Sequence, residues 1–275
     1  MTEQNKNEIK LPGLWEVMLV FLGAFLLTNV LILTVAAILQ PEVLEDTSIL
    51  ATSKWYLILS QLIILILPVI YFRYRQFNLA ELFRIKKIDG EMAFFTFLMA
   101  LGLLPVLDEV DRLVQMFIPS DELDSQIREV LQTNSTLDFM LLAVTLVILA
   151  PLFEEFIFRG ALQQGFEKRL GIMNGIIFTS VFWAFIHQVM SWAIQIFILG
   201  LVLGVLAYRY RSVLSSIIIH AVYNLFSLIS YNSQDSTFMS QYENEGHVEW
   251  IWLVTGAVLL FISGKKLFAE PRQNS

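Results

Sequence analysis

A small set of ionisable and amide side chains stands inside stretches that are otherwise apolar. The set consists of Glu154, Glu155 and Arg159 in PLFEEFIFRGALQQGF, His187 in WAFIHQ, and His220 and Asn224 in IIIHAVYN. An ionisable group inside a bilayer costs about 3 kcal/mol or more, so such groups are retained mainly where they serve a function. These residues are therefore the candidates for a functional site.

The spacing of these residues predicts which side chains share a helix face. Glu155 and Arg159 are four residues apart, so they can pair on one face, whereas Glu154 points about 100° away and has no local partner. His220 and Asn224 are also four residues apart. A carboxylate held by arginine is expected to support structure, and one without such a partner is available as a general base.

Together these side chains could hydrolyse a peptide bond without a covalent intermediate. Glu154 and His187 could deprotonate a water molecule, and the oxyanion formed by its attack could accept hydrogen bonds from His220 and Asn224. The chain has no cysteine, which excludes a thiol nucleophile and thiolate metal ligands.

Each residue also has a purely structural interpretation. Glu155 and Arg159 could be an ion pair that stabilises a buried helix face. A single histidine inside a membrane can be a hydrogen bond between helices, and the His220 and Asn224 pair could bridge two spans. The occurrence of all these groups together on three helices favours one functional site.

The elements that carry these residues are predicted to be membrane-spanning helices. The chain has 275 residues, of which 56% are hydrophobic, well above the share in soluble domains. We predict an all-α fold, a polytopic membrane helix bundle of about eight transmembrane helices. The spans are expected at 14–39, 55–72, 92–107, 137–166, 172–187, 192–208, 213–230 and 250–264.

The distribution of positive charge predicts how this bundle lies in the membrane. Of the 18 Lys and Arg residues, all but Lys54, Arg112 and Arg128 fall on one side of the predicted spans. Because positive loops stay in the cytoplasm, both termini are expected there. We predict a cytoplasmic tail at 1–12, one membrane domain at 13–265 with its motifs at 137–230, and a second cytoplasmic tail at 266–275. No Lys/Arg-rich run suggests nucleic acid, so the lipid bilayer is the expected surrounding.

Three short motifs resemble the signature of the CPBP family, the CAAX-protease and bacteriocin-processing (Abi) membrane peptidases. The EExxxR motif is matched by EEFIFR, the FxxxH motif by WAFIH, and the HxxxN motif by HAVYN. The second motif departs from the family pattern because Trp183 stands where phenylalanine is usual. The resemblance covers roughly residues 137–230, and all three motifs occur in order.

This resemblance implies an intramembrane endopeptidase with an eight-helix bundle whose site opens toward the cytoplasm. It implies that Glu154 and His187 activate water, that His220 and Asn224 form the oxyanion site, and that Glu155 and Arg159 support the geometry. It also implies a peptide or membrane-protein substrate, with peptide maturation or bacteriocin self-immunity as the expected role. The short loops and the lack of cysteine are compatible with the cell membrane of a bacterium.

Three alternatives stay open. No cofactor is expected, but Glu154, His187 and His220 are of the ligand types found in catalytic zinc sites, although no HExxH motif is present. The protein could instead be a non-catalytic immunity or scaffold protein that binds a peptide or membrane partner. A transporter would also use buried carboxylates and histidines, although no repeat halves are evident.

Overall fold

Long apolar helices dominate the computed structural model, which describes residues 11–45, 53–119 and 122–269. They are α1 (Leu14–Leu39), α2 (Lys54–Tyr74), α3 (Gly90–Gln115), α4 (Thr136–Leu170), α5 (Ile172–Ile186), α6 (Ala193–Tyr210), α7 (Leu214–Asn232) and α8 (Trp250–Leu267). The fold is an all-α polytopic bundle, which confirms the fold class predicted from the sequence.

The helices that correspond to the roughly eight predicted spans fall into two groups by length. Among the described residues, seven helices are long and apolar enough to cross a membrane, whereas α5 is apolar but shorter, with 15 residues. At 1.5 Å per residue α5 is about 22 Å long, less than the roughly 30 Å of a hydrocarbon core. The span predicted to run through His187 ends one residue earlier in the structure, at Ile186.

The helices that contain the third and eighth predicted spans are longer than those spans. The segment 92–107 becomes α3 with 26 residues, and 250–264 becomes α8 with 18 residues. An apolar window detects only the part of a helix that lies in lipid, and α3 continues into a polar segment where Arg112 pairs with Asp108 one turn earlier. The last helix passes the predicted domain boundary at 265, while residues 1–10 and 270–275 of the predicted tails lie outside the described residues.

Two π-helical segments interrupt the regular geometry of α4. The backbone is π-helical over Val144–Leu149 and again over Phe156–Leu162. One α-helical segment, Ala150–Glu155, lies between them, and it ends with the two glutamates of the first motif. Segments of this kind are rare in helices and occur frequently at functional sites.

One end of the bundle is held together around Arg84, which precedes α3. Its side chain pairs with Glu167 near the end of α4 and donates a hydrogen bond to the carbonyl oxygen of Arg159 at 3.2 Å. Its own carbonyl oxygen accepts from the backbone N–H of Val213, just before α7, at 3.1 Å. The connections before α3, after α4 and before α7 therefore lie at the same end.

The other end of the bundle contains the connection between α7 and α8. This connection holds a short helix, Thr237–Tyr242, and two antiparallel strands, Glu243–Asn244 and His247–Val248, paired Glu243 to Val248 and Asn244 to His247. A further short helix, Glu122–Leu131, precedes α4.

Two contacts fasten that connection to the last turns of α3. Arg112 pairs with Glu243 at 2.9 Å, and Glu109 accepts from the Nδ1 of His247 at 2.7 Å. Because α3 ends here and α7 begins at the opposite end, the helices between them, α4, α5 and α6, must together cross the bundle an odd number of times. With α4 and α6 crossing, α5 must cross as well.

The helices α3 and α8 pack closely against each other. A Cβ atom added at Gly256 would lie 2.7 Å from the ring of Pro105, and one added at Gly102 would lie 2.9 Å from the carbonyl oxygen of Gly256. These two glycines are therefore required for α3 and α8 to approach this closely. The core against which the motif helices pack contains Trp183, Leu199, Leu203 and Ile219.

Candidate functional site

The indole of Trp183 on α5 lies at the centre of the motif residues. It is 1% exposed and is the largest fully buried side chain among the described residues. Its ring lies 5.2 Å from the ring of His187 and 5.2 Å from the ring of His220, both edge to face. The guanidinium carbon of Arg159 lies 4.1 Å from its centroid, a cation–π contact.

Glu154 reaches this centre from the α-helical segment of α4. Its Oε2 accepts a hydrogen bond from the indole Nε1 of Trp183 at 2.7 Å, and the side chain is half-buried. Within the described part of the chain, this is the hydrogen bond that Glu154 makes, so its other oxygen, Oε1, is left for a further partner. Glu154 therefore faces the interior of the bundle and not the lipid.

His187 lies in the turn that follows α5 and not within the helix. Its Nδ1 is 2.7 Å from the carbonyl oxygen of Trp183. Because a carbonyl oxygen can only accept, Nδ1 must carry the proton, and Nε2 is then the nitrogen that can accept one. The next residue, Gln188, has a φ of 59°, which ends the helix and directs the chain toward α6.

Glu155 joins α4 to α7 inside the bundle. Its Oε1 accepts from Arg159 at 3.1 Å and from the Nδ1 of His220 at 2.9 Å, and both Glu155 and Arg159 are fully buried. Arg159 also lies 3.5 Å from the carbonyl oxygen of Gly200 on α6. The Glu155 carboxylate therefore fixes the orientation of His220, and together with Arg159 it links α4 to α6 and α7.

Asn224 bridges α7 to the first π-helical segment of α4. Its amide nitrogen donates to the carbonyl oxygen of Leu146 at 2.8 Å. The bridging interpretation considered for this residue therefore describes one of its two N–H groups, and the second N–H remains available.

The structure brings Glu154, Arg159, His187 and His220 together around Trp183, and Glu155 joins them through Arg159 and His220, whereas Asn224 bonds to Leu146 instead. Glu154 and both imidazoles contact the indole of Trp183, and among the described residues no hydrogen bond joins Glu154 directly to an imidazole. From the sequence, Trp183 was identified only as the residue that stands where phenylalanine is usual. The replacement of phenylalanine by tryptophan was the signal that could have identified this contact, since an indole has an N–H donor that a phenyl ring lacks.

The side chains considered as alternative zinc ligands have other partners in the structure. Among residues 11–45, 53–119 and 122–269, no group of three His, Asp or Glu side chains is placed to hold a metal ion. Glu154, His187 and His220 each bond instead to a different protein group.

Fold and site together define a multi-pass helical membrane protein with a buried glutamate, histidine and arginine cluster. Residues 136–226 match a family described as type II CAAX prenyl endopeptidase Rce1-like, and this segment contains all six motif residues. The chain thus carries an Rce1-like domain of the CPBP family of membrane proteases, and the resemblance seen in the motifs is confirmed. The curated proteins and the solved structures contain no significant match to the chain.

Proposed function

We propose that this protein is an intramembrane endopeptidase in which Glu154 and His187 activate a water molecule. The observation that carries the proposal is the convergence of Glu154 and both intramembrane imidazoles on the single ring of Trp183. Carboxylates and imidazoles are the side chains best suited to proton transfer near neutral pH. The Rce1-like domain supports the same reaction class.

In the proposed reaction the water oxygen attacks the carbonyl carbon of the substrate peptide bond. Oε1 of Glu154 and Nε2 of His187 are the two atoms left to accept the proton of that water, since Oε2 and Nδ1 already have partners. The proton then passes to the leaving nitrogen as the C–N bond breaks, so no covalent enzyme intermediate forms.

The negative oxygen that develops on the substrate would be stabilised by donors from α7. Asn224 has one free amide N–H for this purpose. His220 already directs its Nδ1 proton at Glu155, so it can donate from Nε2 only when both ring nitrogens carry protons, with Glu155 as the counter-ion. Glu155 and Arg159 would thus act through His220 and not on the substrate.

The proposed substrate is a peptide or a membrane protein, including the prenylated CAAX class named in the family description. The proposal further includes one membrane domain at 13–265, both termini in the cytoplasm, and a bacterial cell membrane, with peptide maturation or bacteriocin self-immunity as the role. The positive charge at the Arg84 end of the bundle supports this orientation.

The decisive test compares the peptides in membranes and medium from cells that produce the wild type or Glu154→Gln. We expect at least one peptide terminus to fall by about a hundredfold or more in the variant, because general-base catalysis contributes roughly that factor. Glu91→Gln is the matched control, since Glu91 is exposed and pairs only weakly with Lys266 at 3.4 Å.

Two outcomes would contradict the proposal. Unchanged peptide termini, together with a biological effect preserved in Glu154→Gln, would favour the non-catalytic immunity or scaffold role. Loss of turnover of the purified protein in a strong chelator, restored by zinc, would favour the metal-dependent alternative.

A further inference from the structure

Trp183 makes a contact that phenylalanine, the usual residue of this motif, cannot make. The indole N–H donates to Oε2 of Glu154 at 2.7 Å, a short hydrogen bond to a carboxylate. Bonds of this kind, with a charged acceptor, are about twice as strong as those between neutral groups. A phenyl ring would preserve much of the packing at this position and would lose the donor.

Three motif residues contact the ring of Trp183 and hold it in place. Arg159 lies over its face at 4.1 Å, and the two imidazoles contact it edge to face at 5.2 Å. The residue is 1% exposed, so the ring has no room to reorient. Because the indole N–H of Trp183 cannot move, the Glu154 carboxylate that it bonds is held in one position.

We propose that Trp183 is a positioning residue of the active site, whose indole N–H holds Oε2 of Glu154 so that Oε1 is the oxygen directed at the reacting water. The same ring sets the spacing between Glu154 and the two imidazoles. This inference rests on the proposed peptidase function, and it assigns to α5 a second role besides carrying His187. Trp183 acts through Glu154 and does not itself contact the substrate.

The first arm of the test measures turnover of an internally quenched peptide that carries the cleavage site found by the peptide comparison. For Trp183→Phe we expect kcat to fall by roughly tenfold to a hundredfold with KM within about twofold, the effect of losing one charged hydrogen bond during catalysis. Incorporation of benzothienylalanine at position 183, which keeps the bicyclic shape and replaces the N–H by sulfur, should give the same loss.

The matched control is Trp252→Phe, which removes an indole N–H bonded to the carbonyl oxygen of Gln241 far from the site and should leave kcat unchanged. A Trp183→Phe protein with kcat within twofold of the wild type would overturn the proposal. So would full activity of the benzothienylalanine protein, whose unchanged ring size separates loss of the donor from loss of packing.

The second arm does not depend on activity. In protein labelled with ¹⁵N-tryptophan, the six indole N–H groups give separate NMR signals, and the one lost in Trp183→Phe belongs to Trp183. We expect this signal to move upfield in Glu154→Leu and to stay in place in Glu91→Leu. No movement in Glu154→Leu would overturn the contact. Movement in Glu154→Leu, combined with a wild-type protein that shows no turnover, would retain the contact and reject the peptidase function.

Discussion

At the scale of single residues, the two adjacent glutamates have different environments. Glu155 is fully buried and bonded to Arg159 and His220, whereas Glu154 is half-buried and bonded to a neutral indole. The i, i+4 spacing predicted the pairing of Glu155 with Arg159, which the structure shows at 3.1 Å. A buried charge network of this kind orients groups, because each member depends on its partner for compensation.

Removal of one partner from this network should therefore be strongly destabilising. For Arg159→Met we expect a loss of about 3–5 kcal/mol in the free energy of unfolding, because the buried Glu155 would lose the guanidinium that compensates it. The measurement is denaturant-induced unfolding in detergent micelles.

Arg75→Met is the matched control, since Arg75 is half exposed where it pairs with Glu16 at 3.3 Å, and exposed pairs contribute at most about 1 kcal/mol. Equal stability of the Arg159 and Arg75 variants would show that the buried pair does not hold α4 in place.

At the scale of helices, the irregular geometry of α4 determines what its neighbours contact. A π-helical segment changes the direction in which successive side chains and carbonyl groups point relative to a regular α-helix. The carbonyl oxygen of Leu146 is one such group, and Asn224 reaches it from α7. Asn224, a residue of the third motif, therefore also connects α7 to α4.

Loss of the Asn224 amide should destabilise this connection. We expect Asn224→Ala to lower the free energy of unfolding by about 1–3 kcal/mol, because the carbonyl oxygen of the half-buried Leu146 would lose its donor. Asn29→Ala serves as control, since Asn29 is exposed and bonds within its own helix to the carbonyl oxygen of Phe25. If both variants unfold alike, Asn224 contributes nothing to the joining of α4 and α7.

At the scale of the whole molecule, the path of the chain depends on whether the short helix α5 crosses the bilayer. The pairing of Arg112 with Glu243 places the α7–α8 connection at the end of the bundle where α3 ends. Residues before α3 and residues between α7 and α8 should therefore lie on opposite sides of the membrane. If α5 did not cross, both would lie on the same side.

The absence of cysteine makes this topology directly measurable by single-cysteine labelling. We expect Ser240→Cys to react with a membrane-impermeant maleimide on intact cells and Lys87→Cys to react only after permeabilisation. Both positions are exposed. Labelling of both from the outside, or of neither, would show that α5 does not cross, and the reverse pattern would show that both termini lie outside.

Much of the site follows from local sequence, because helices and their ionisable residues are local properties. The apolar runs identified the spanning helices, and the rarity of charged groups within them identified Glu154, Glu155, Arg159, His187, His220 and Asn224. Local patterns do not give the depth of each residue in the membrane, because α4, at 35 residues, is roughly 50 Å long and extends well beyond a hydrocarbon core of about 30 Å.

Only the tertiary structure decided which atoms meet. Helical periodicity places Glu154 on a face of α4 but does not show that an indole on α5 will hold it, since that contact depends on the π-helical turns, the end of α5 at Ile186 and the packing around Trp183. Such features arise from contacts between distant segments, and no single stretch of sequence encodes them. The amino-acid sequence thus determined which residues belong to the site, and the packing of three helices decided how they are joined.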